Sequence, residues 1–426
     1  MVYIFRNKLP KVRIERPRGT RDFLPDEMEK RREIERIMRE IAESYGYREI
    51  ATPTFEHLEL FTIKSGEGIV EEMYTFKDKS GRDLALRPEL TAPVMRMFVN
   101  ECSVMPKPLR FYYFANCFRY ERPQRGRYRE FWQFGVELIG SQSYLADAEV
   151  IALSYNILDS LGIDFELQIG HVGIMRFLLD PLGEERAAKI MRLIDKDDVE
   201  GLEVYMDEIG VDTDLREKVL SLIGMKGDVG VIEQAREIVS FDFTHLEKLA
   251  EVLSALNVEF EFNLGIARGL DYYTGVVFEC YAEGLGAQKQ VCGGGSYELA
   301  SLFGGPRTPS TGFAIGFDRV CEVCEVRGEE RPLVAVVSFK GTEKHALRFA
   351  EKLRKRGVRA VVDVMGRNIR KQLSFANEIG ASYAAILGPD EVEKGMVALK
   401  DMKTEEQVVV DEEEAISRIL NAERLS

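Results

Sequence analysis

The stretch Phe111–Gly140, FYYFANCFRYERPQRGRYREFWQFGVELIG, joins two aromatic-rich apolar runs through a segment carrying Arg119, Arg122, Arg125, Arg127 and Arg129. Pro123 and Gly126 interrupt any helix there, so the stretch reads as strand, charged loop and antiparallel strand. Side chains on a strand alternate between its two faces. Trp132, Phe134, Val136 and Leu138 therefore share one face of the second strand, and Gln133, Gly135 and Glu137 the other. On the first strand Arg119 falls on the face of the small residues Ala115 and Cys117. A polar, small-residue face inside an aromatic hairpin has the makings of a pocket floor, and the arginine loop above it suits a polyanion. A carboxylate such as Glu137 on an enclosed face is costly unless it is partnered. Arginine-rich loops are more often merely solvated, so composition alone does not decide the matter.

The 426-residue chain is long enough for two or three domains, each with its own core. No run of about 20 apolar residues suggests a membrane span. The arm Met1–Arg21 holds seven basic residues and one Glu, without an apolar signal core, and the expected compartment is the cytoplasm. The six cysteines are scattered through apolar runs, as reduced thiols would be. Cys321 and Cys324 lack a second pair or a nearby His and read as core residues rather than zinc ligands. A net charge of −14 opposes non-specific nucleic-acid binding. That charge is unevenly spread. Lys340–Lys371 has eleven basic and three acidic residues, whereas Leu182–Glu251 has nine basic and eighteen acidic. A basic region on an acidic chain can still bind nucleic acid locally.

Along the chain, the turn-rich RGTRDFLP (Arg18–Pro25) leads into an amphipathic helix marked by Ile34, Ile37, Met38 and Ile41 and closed by Gly46. A short strand ends at Pro53. Tyr74–Pro88 is predicted to be a hairpin turning at Ser80–Gly81 and leading into Glu89, Leu90 and Thr91 at the start of a helix. Asp147–Leu161 reads as helix and Asp164–Gly170 as strand. Residues 178–256, charged and poor in strand signals, read as an inserted helical module. Strands return around Val258–Gly265 and Val276–Ala282, separated by IARGLDYYTG (Ile266–Gly275). The glycine run of Cys292–Tyr297 lets a backbone approach a ligand closely or forms a loose loop. Thr311–Arg319 reads as a strand turning into a helix. Beyond about residue 328, strands and helices alternate at Leu333–Ser338, His345–Arg356, Val358–Val362, Ile369–Glu378 and Ala381–Leu387, the pattern of a separate α/β domain.

Taken together, these pieces resemble the class II aminoacyl-tRNA synthetases, and most closely their histidyl-tRNA synthetase family, over essentially the whole chain. Pro53 with its preceding helix and strand is similar to that class's motif 1, Phe118–Glu137 to motif 2, and Gly312–Arg319 to motif 3. RGLDYYT (Arg268–Thr274) and the glycine segment ending at Tyr297 resemble the histidine-specific signatures. The resemblance implies an α+β fold: a class II antiparallel-sheet catalytic domain over 1–328 with the helical insertion at about 178–256, and a C-terminal α/β anticodon-binding domain over 329–426. It implies ATP-dependent activation of histidine to the adenylate, transfer to the 3′ end of tRNA, a homodimer, and Mg²⁺ on the phosphates with no ligand set readable. Arg119, Glu121, Arg127 and Arg319 would serve ATP. Glu89, Thr91 and Gln133 would take the histidine ammonium, and Glu137 and Tyr273 the ring nitrogens, with Tyr272 and Tyr297 also at the amino acid. Arg268, Arg119 and Gln133 would form the catalytic set, Arg268 bridging substrate carboxylate and α-phosphate. Two features depart from the pattern. Ser296 and Glu298 stand where the signature commonly has Arg and Asp, and the insertion expected to approach the tRNA acceptor arm is acidic.

Overall fold

A computed structural model describes residues 14–65, 67–121, 126–266, 272–285, 289–328 and 332–423. The chain divides into two compact units, Met1–Gly328 and Glu329–Ser426. Arg122, Arg125 and Arg268 lie outside the described residues.

The first unit opens with the helix Pro25–Ser44, which begins on a proline, carries Asp26 and Glu27 in its first turn and buries Ile34, Met38 and Ala42. After β1 (Arg48–Glu49) comes a small antiparallel sheet of β2 (Phe55–His57), β3 (Thr75–Lys77) and β4 (Asp83–Leu86). The predicted hairpin at Tyr74–Pro88 is the β3–β4 pair. The aromatic hairpin follows as β5 (Leu109–Phe118) and β6 (Glu130–Ile139), ten residues each, paired antiparallel from Leu109 opposite Ile139 to Phe118 opposite Glu130. Next come β7 (Phe165–His171), β8 (Lys226–Gly227), β9 (Glu261–Asn263), β10 (Tyr273–Ala282), β11 (Gln290–Tyr297) and β12 (Ser310–Gly316). The large sheet has nine strands in the order β1-β5-β6-β12-β11-β10-β7-β9-β8. Its centre is antiparallel, and β1 joins β5 and β9 joins β7 in parallel at its margins.

Alternation along β6 sorts the two faces as the sequence implies. Phe134, Val136 and Leu138 join the main core, which also takes in the buried residues of the helices Pro25–Ser44 and Tyr144–Ser160. Glu137 faces the other way. The glycine run of Cys292–Tyr297 is not a loop; it lies within β11, paired with β10 on one side and β12 on the other.

From Val172 to Ala255 the chain runs through six α-helices, which include the region read as a helical insertion. It also contains β8, which the sequence does not signal. Part of its acidic surplus is structural. Asp198 and Asp212 cap two of its helices, accepting from the N–H groups of Gly201 and Leu215 at 2.9 Å each.

The second unit holds β13 (Leu333–Ser338), β14 (Arg359–Val362), β15 (Tyr383–Leu387), β16 (Met396–Asp401) and β17 (Gln407–Asp411) in the order β14-β13-β15-β16-β17. The first three are parallel and the last two extend the sheet antiparallel. The β16–β17 hairpin and the closing helix Glu412–Glu423 lie beyond the elements read from the sequence.

Candidate active site

Above the polar face of the large sheet lies a cavity of about 240 Å³. Its wall includes every described residue that the sequence assigns to a substrate: Glu89, Thr91, Arg119, Glu121, Arg127, Gln133, Glu137, Tyr272, Tyr273, Tyr297 and Arg319. They come from the turn after β4, the hairpin, β10, β11 and the helix after β12. Only the fold brings them together.

One end is carboxylate and hydroxyl. Glu137 is 1% exposed. Tyr297 donates its hydroxyl to one carboxylate oxygen at 2.5 Å, and Tyr113 donates to the other at 3.3 Å. Two glycines make room for this arrangement. A Cβ on Gly135 would lie 2.4 Å from the Tyr113 hydroxyl, and one on Gly312 would lie 2.1 Å from the Glu137 carboxylate. Burial pushes the Glu137 carboxyl up to about 8 against the hydroxyls of Tyr297, Thr91 and Tyr113, and the neighbouring Glu89 adds to the rise. Glu89 is raised by burial too, although the N–H groups of Thr91 at 2.6 Å and Ala92 at 3.1 Å oppose it. Those bonds also secure the first turn of the helix Thr91–Met97. Tyr272 and Tyr297 meet edge to face at 5.8 Å, closing the aromatic side.

The other end is cationic. Arg319 donates from Nε to the Gly126 carbonyl at 3.0 Å and from Nη1 to the Gln290 carbonyl at 2.7 Å. Its pKa is lowered first by burial and then by Arg127 and Arg119, so the three guanidinium groups feel one another's charge. Arg119 is anchored by an Nε bond to the Pro88 carbonyl at 3.0 Å and lies 5.2 Å from the Phe131 ring centroid. Arg127 is ion-paired with Glu121. Gln133 sits between the two ends, accepting from the Cys117 thiol at 3.4 Å. Among the described residues no three His, Cys, Asp or Glu side chains converge as a metal cage. Glu121 is the carboxylate among these arginines.

Three contributors were not singled out from the sequence. Tyr113 shares a strand face with Ala115 and Cys117, so alternation alone would have found it. Tyr128 lines the cavity and donates to Glu322 at 3.0 Å. Asp318, next to Arg319, is buried and receives the Trp132 N–H at 2.6 Å; no local pattern marks it.

The Glu137 environment predicts a pH effect. Burial raises the carboxyl from its ordinary value of 4.5 in the unfolded chain to about 8 in the folded one. Over that window the folded state holds the extra proton, so this group's contribution to stability is full below 4.5 and is lost as pH rises towards 8. The limiting slope is about 1.4 kcal/mol per pH unit. Glu137→Gln is expected to flatten this component of the ligand-free protein's denaturant midpoint between pH 5 and 8; a parallel pH dependence in both proteins would contradict it.

The arrangement can take an amino acid at one end and a polyphosphate at the other. A family model described as histidyl-tRNA synthetase matches residues 19–320, and one described as an anticodon binding domain matches 333–422. The chain is 75% identical over 406 residues to a histidine–tRNA ligase of Archaeoglobus fulgidus, covering 95% of this chain and 99% of that one. It is 51% identical over 408 residues to the histidine–tRNA ligase of Methanosarcina acetivorans, covering 95% and 98%. Among solved structures, the apo histidyl-tRNA synthetase of S. aureus is similar at a TM-score of 0.71 and 28% identity, over 96% of this chain and all of that one. A Bacillus halodurans structure, titled as an ATP phosphoribosyltransferase regulatory subunit/histidyl-tRNA synthetase, is similar at a TM-score of 0.77 and 29% identity, over 88% and 98%.

Proposed function

The chain belongs to the histidyl-tRNA synthetase family, and from that premise we propose how its cavity works. The activity is ATP-dependent joining of histidine to tRNA. The observation that carries our reading of the site is the convergence of eleven sequence-assigned side chains on one cavity with chemically opposite ends.

Histidine enters at the Glu137 end. Its ammonium faces Glu89, Thr91 and Gln133, and its ring nitrogens meet Glu137 and Tyr273. Tyr297 and Tyr113 orient Glu137, while Tyr272 closes the aromatic wall. A partnered polar pocket rejects apolar competitors because they leave buried groups unpaired, which discriminates by about 10⁴–10⁵. ATP lies at the arginine end, with Arg119 on the α-phosphate, Arg319 on the γ-phosphate, and Arg127 and Glu121 on the nucleotide. Guanidinium forks match phosphate oxygens in pairs. The histidine carboxylate then attacks the α-phosphorus, the bond to the β-phosphate oxygen breaks, and pyrophosphate leaves. Arg268 is assigned by the family pattern to the carboxylate and α-phosphate together. In the second step a terminal hydroxyl of the tRNA attacks the acyl carbon and AMP leaves. Both steps need positioning and charge stabilisation more than an acid or base. Glu121, the carboxylate beside Arg119 and Arg127, would be the residue nearest a phosphate-bound Mg²⁺, and such an ion would supply charge neutralisation when bound.

Pyrophosphate exchange with each of the twenty amino acids tests this reading: histidine alone should drive it, and exchange driven by another amino acid would overturn it. The basic residues between Lys340 and Lys371 support assigning tRNA contact to unit 329–426. Removing that unit is expected to leave exchange within about threefold and to cut tRNA charging by about a hundredfold or more. Equal charging by the shortened chain would refute the division. A homodimer built on the helix Pro25–Ser44 and the segment through Pro53, and a cytoplasmic location, complete the proposal. No helix among the described residues is long and apolar enough to cross a membrane.

A further inference from the structure

Asp318 is 3% exposed and ties together three separate parts of the first unit. Its Oδ1 meets Arg31 Nη1 at 2.8 Å and Arg21 Nη2 at 2.5 Å, and its Oδ2 accepts the Trp132 N–H at 2.6 Å. Arg31 belongs to the helix Pro25–Ser44, Trp132 to β6 one residue before Gln133, and Arg21 to the turn-rich segment ahead of the helix. A buried carboxylate needs such partners, and Arg31 alone already matches its charge. The second cation is therefore surplus to neutralisation.

Arg21 has another contact that explains it. Its guanidinium carbon lies 3.4 Å from the ring centroid of Tyr128, which lines the nucleotide end of the cavity. The Arg129 N–H donates to the Gly19 carbonyl at 2.9 Å, so the same segment is also joined by backbone to the far end of the hairpin loop. Arg319 in turn relies on that loop, through the Gly126 carbonyl. The segment Gly19–Phe23 thus braces both the loop that carries Arg127 and the turn that carries Arg319, without lining the cavity itself.

We propose that Arg21 is a positioning residue for the nucleotide end of the site, acting through Asp318 and Tyr128 to hold the hairpin loop and Arg319 in register for the triphosphate. The proposal rests on the reading of Arg119, Arg127 and Arg319 as ATP ligands. Its effect falls mainly on ATP, because among the described residues Tyr128 donates to Glu322 and the loop carbonyl of Gly126 accepts from Arg319, and neither bond involves Glu89, Glu137 or Tyr297. Small misplacements of phosphate-binding groups are enough to weaken binding and rate by factors of ten to about a hundred.

The test uses the full chain, with ATP and histidine varied separately in pyrophosphate exchange and thermal unfolding followed in parallel. Arg21→Ala is expected to raise the ATP KM about tenfold, leave the histidine KM within about twofold, and lower the melting temperature only slightly, since Arg31 still pairs Asp318. Arg21→Lys keeps the cation on Asp318 but not the planar stack on Tyr128, and should recover part of the ATP affinity. An unchanged ATP KM in Arg21→Ala overturns the proposal. So do equal rises in both KM values with a lowered melting temperature, which would mark ordinary structural support. Arg319→Ala separates the two levels: if it leaves ATP use intact, the phosphate-ligand reading itself fails.

Discussion

Arg119→Ala is expected to lower histidine-dependent pyrophosphate exchange by about 10²–10³-fold, mostly in kcat. The Nε bond to the Pro88 carbonyl and the Phe131 ring beside it hold the guanidinium at the cavity wall without rearrangement. Placed on the α-phosphate, a fixed cation gains interaction energy as charge moves onto the pentacoordinate centre and the departing pyrophosphate. Such a group therefore contributes more in the transition state than in the bound ground state. Arg119→Lys should fall between the two, because an ammonium keeps the charge but cannot present two parallel N–H donors. Steady-state exchange with both substrates saturating gives the answer. A near-normal kcat in the alanine variant would remove Arg119 from the reacting phosphate.

Glu137→Ala is expected to raise the histidine KM by about a hundredfold or more while leaving the ATP KM within a few-fold. The substitution removes the carboxylate that Tyr113 and Tyr297 both address, so two buried hydroxyls lose their acceptor along with the imidazole. Glu137→Gln retains the shape and one carbonyl acceptor, and its loss should be smaller. Discrimination is the sharper readout. The ratio of histidine to glutamine use should collapse in the alanine variant. If selectivity for histidine survives, the ring is read elsewhere in the cavity.

Glu137 was legible from alternation along a single strand, because a period of two leaves a carboxylate on the face opposite Phe134, Val136 and Leu138. Arg119 was legible from its parity with Ala115 and Cys117. Tyr113 is equally legible by that rule, sharing the face of Ala115 and Cys117. Asp318 was not available. Its partners Arg21, Arg31 and Trp132 stand 297, 287 and 186 positions away, and no local spacing encodes a contact of that range. The same holds for the parallel direction of the pairs at the sheet margins, which no local spacing encodes, while β8, at two residues, has too little periodicity to announce a strand.

The glycine run before Tyr297 shows how context overrides local preference. Three consecutive glycines carry little strand propensity, yet hydrogen-bonded neighbours on both sides hold them extended in β11. By itself the sequence determined the two-part architecture, the faces of the hairpin strands, the charge contrast between the helical insertion and the C-terminal unit and, through its motifs, the family. These are properties of local periodicity and composition. Only the tertiary structure decided that Glu137 would be buried with two tyrosine hydroxyls, that three arginines would crowd one end of a single cavity, and that one aspartate would tie the first helix, the hairpin and the segment carrying Arg21 together. Each of those depends on which distant segments exclude water from one another, and desolvation is a property of the assembled fold.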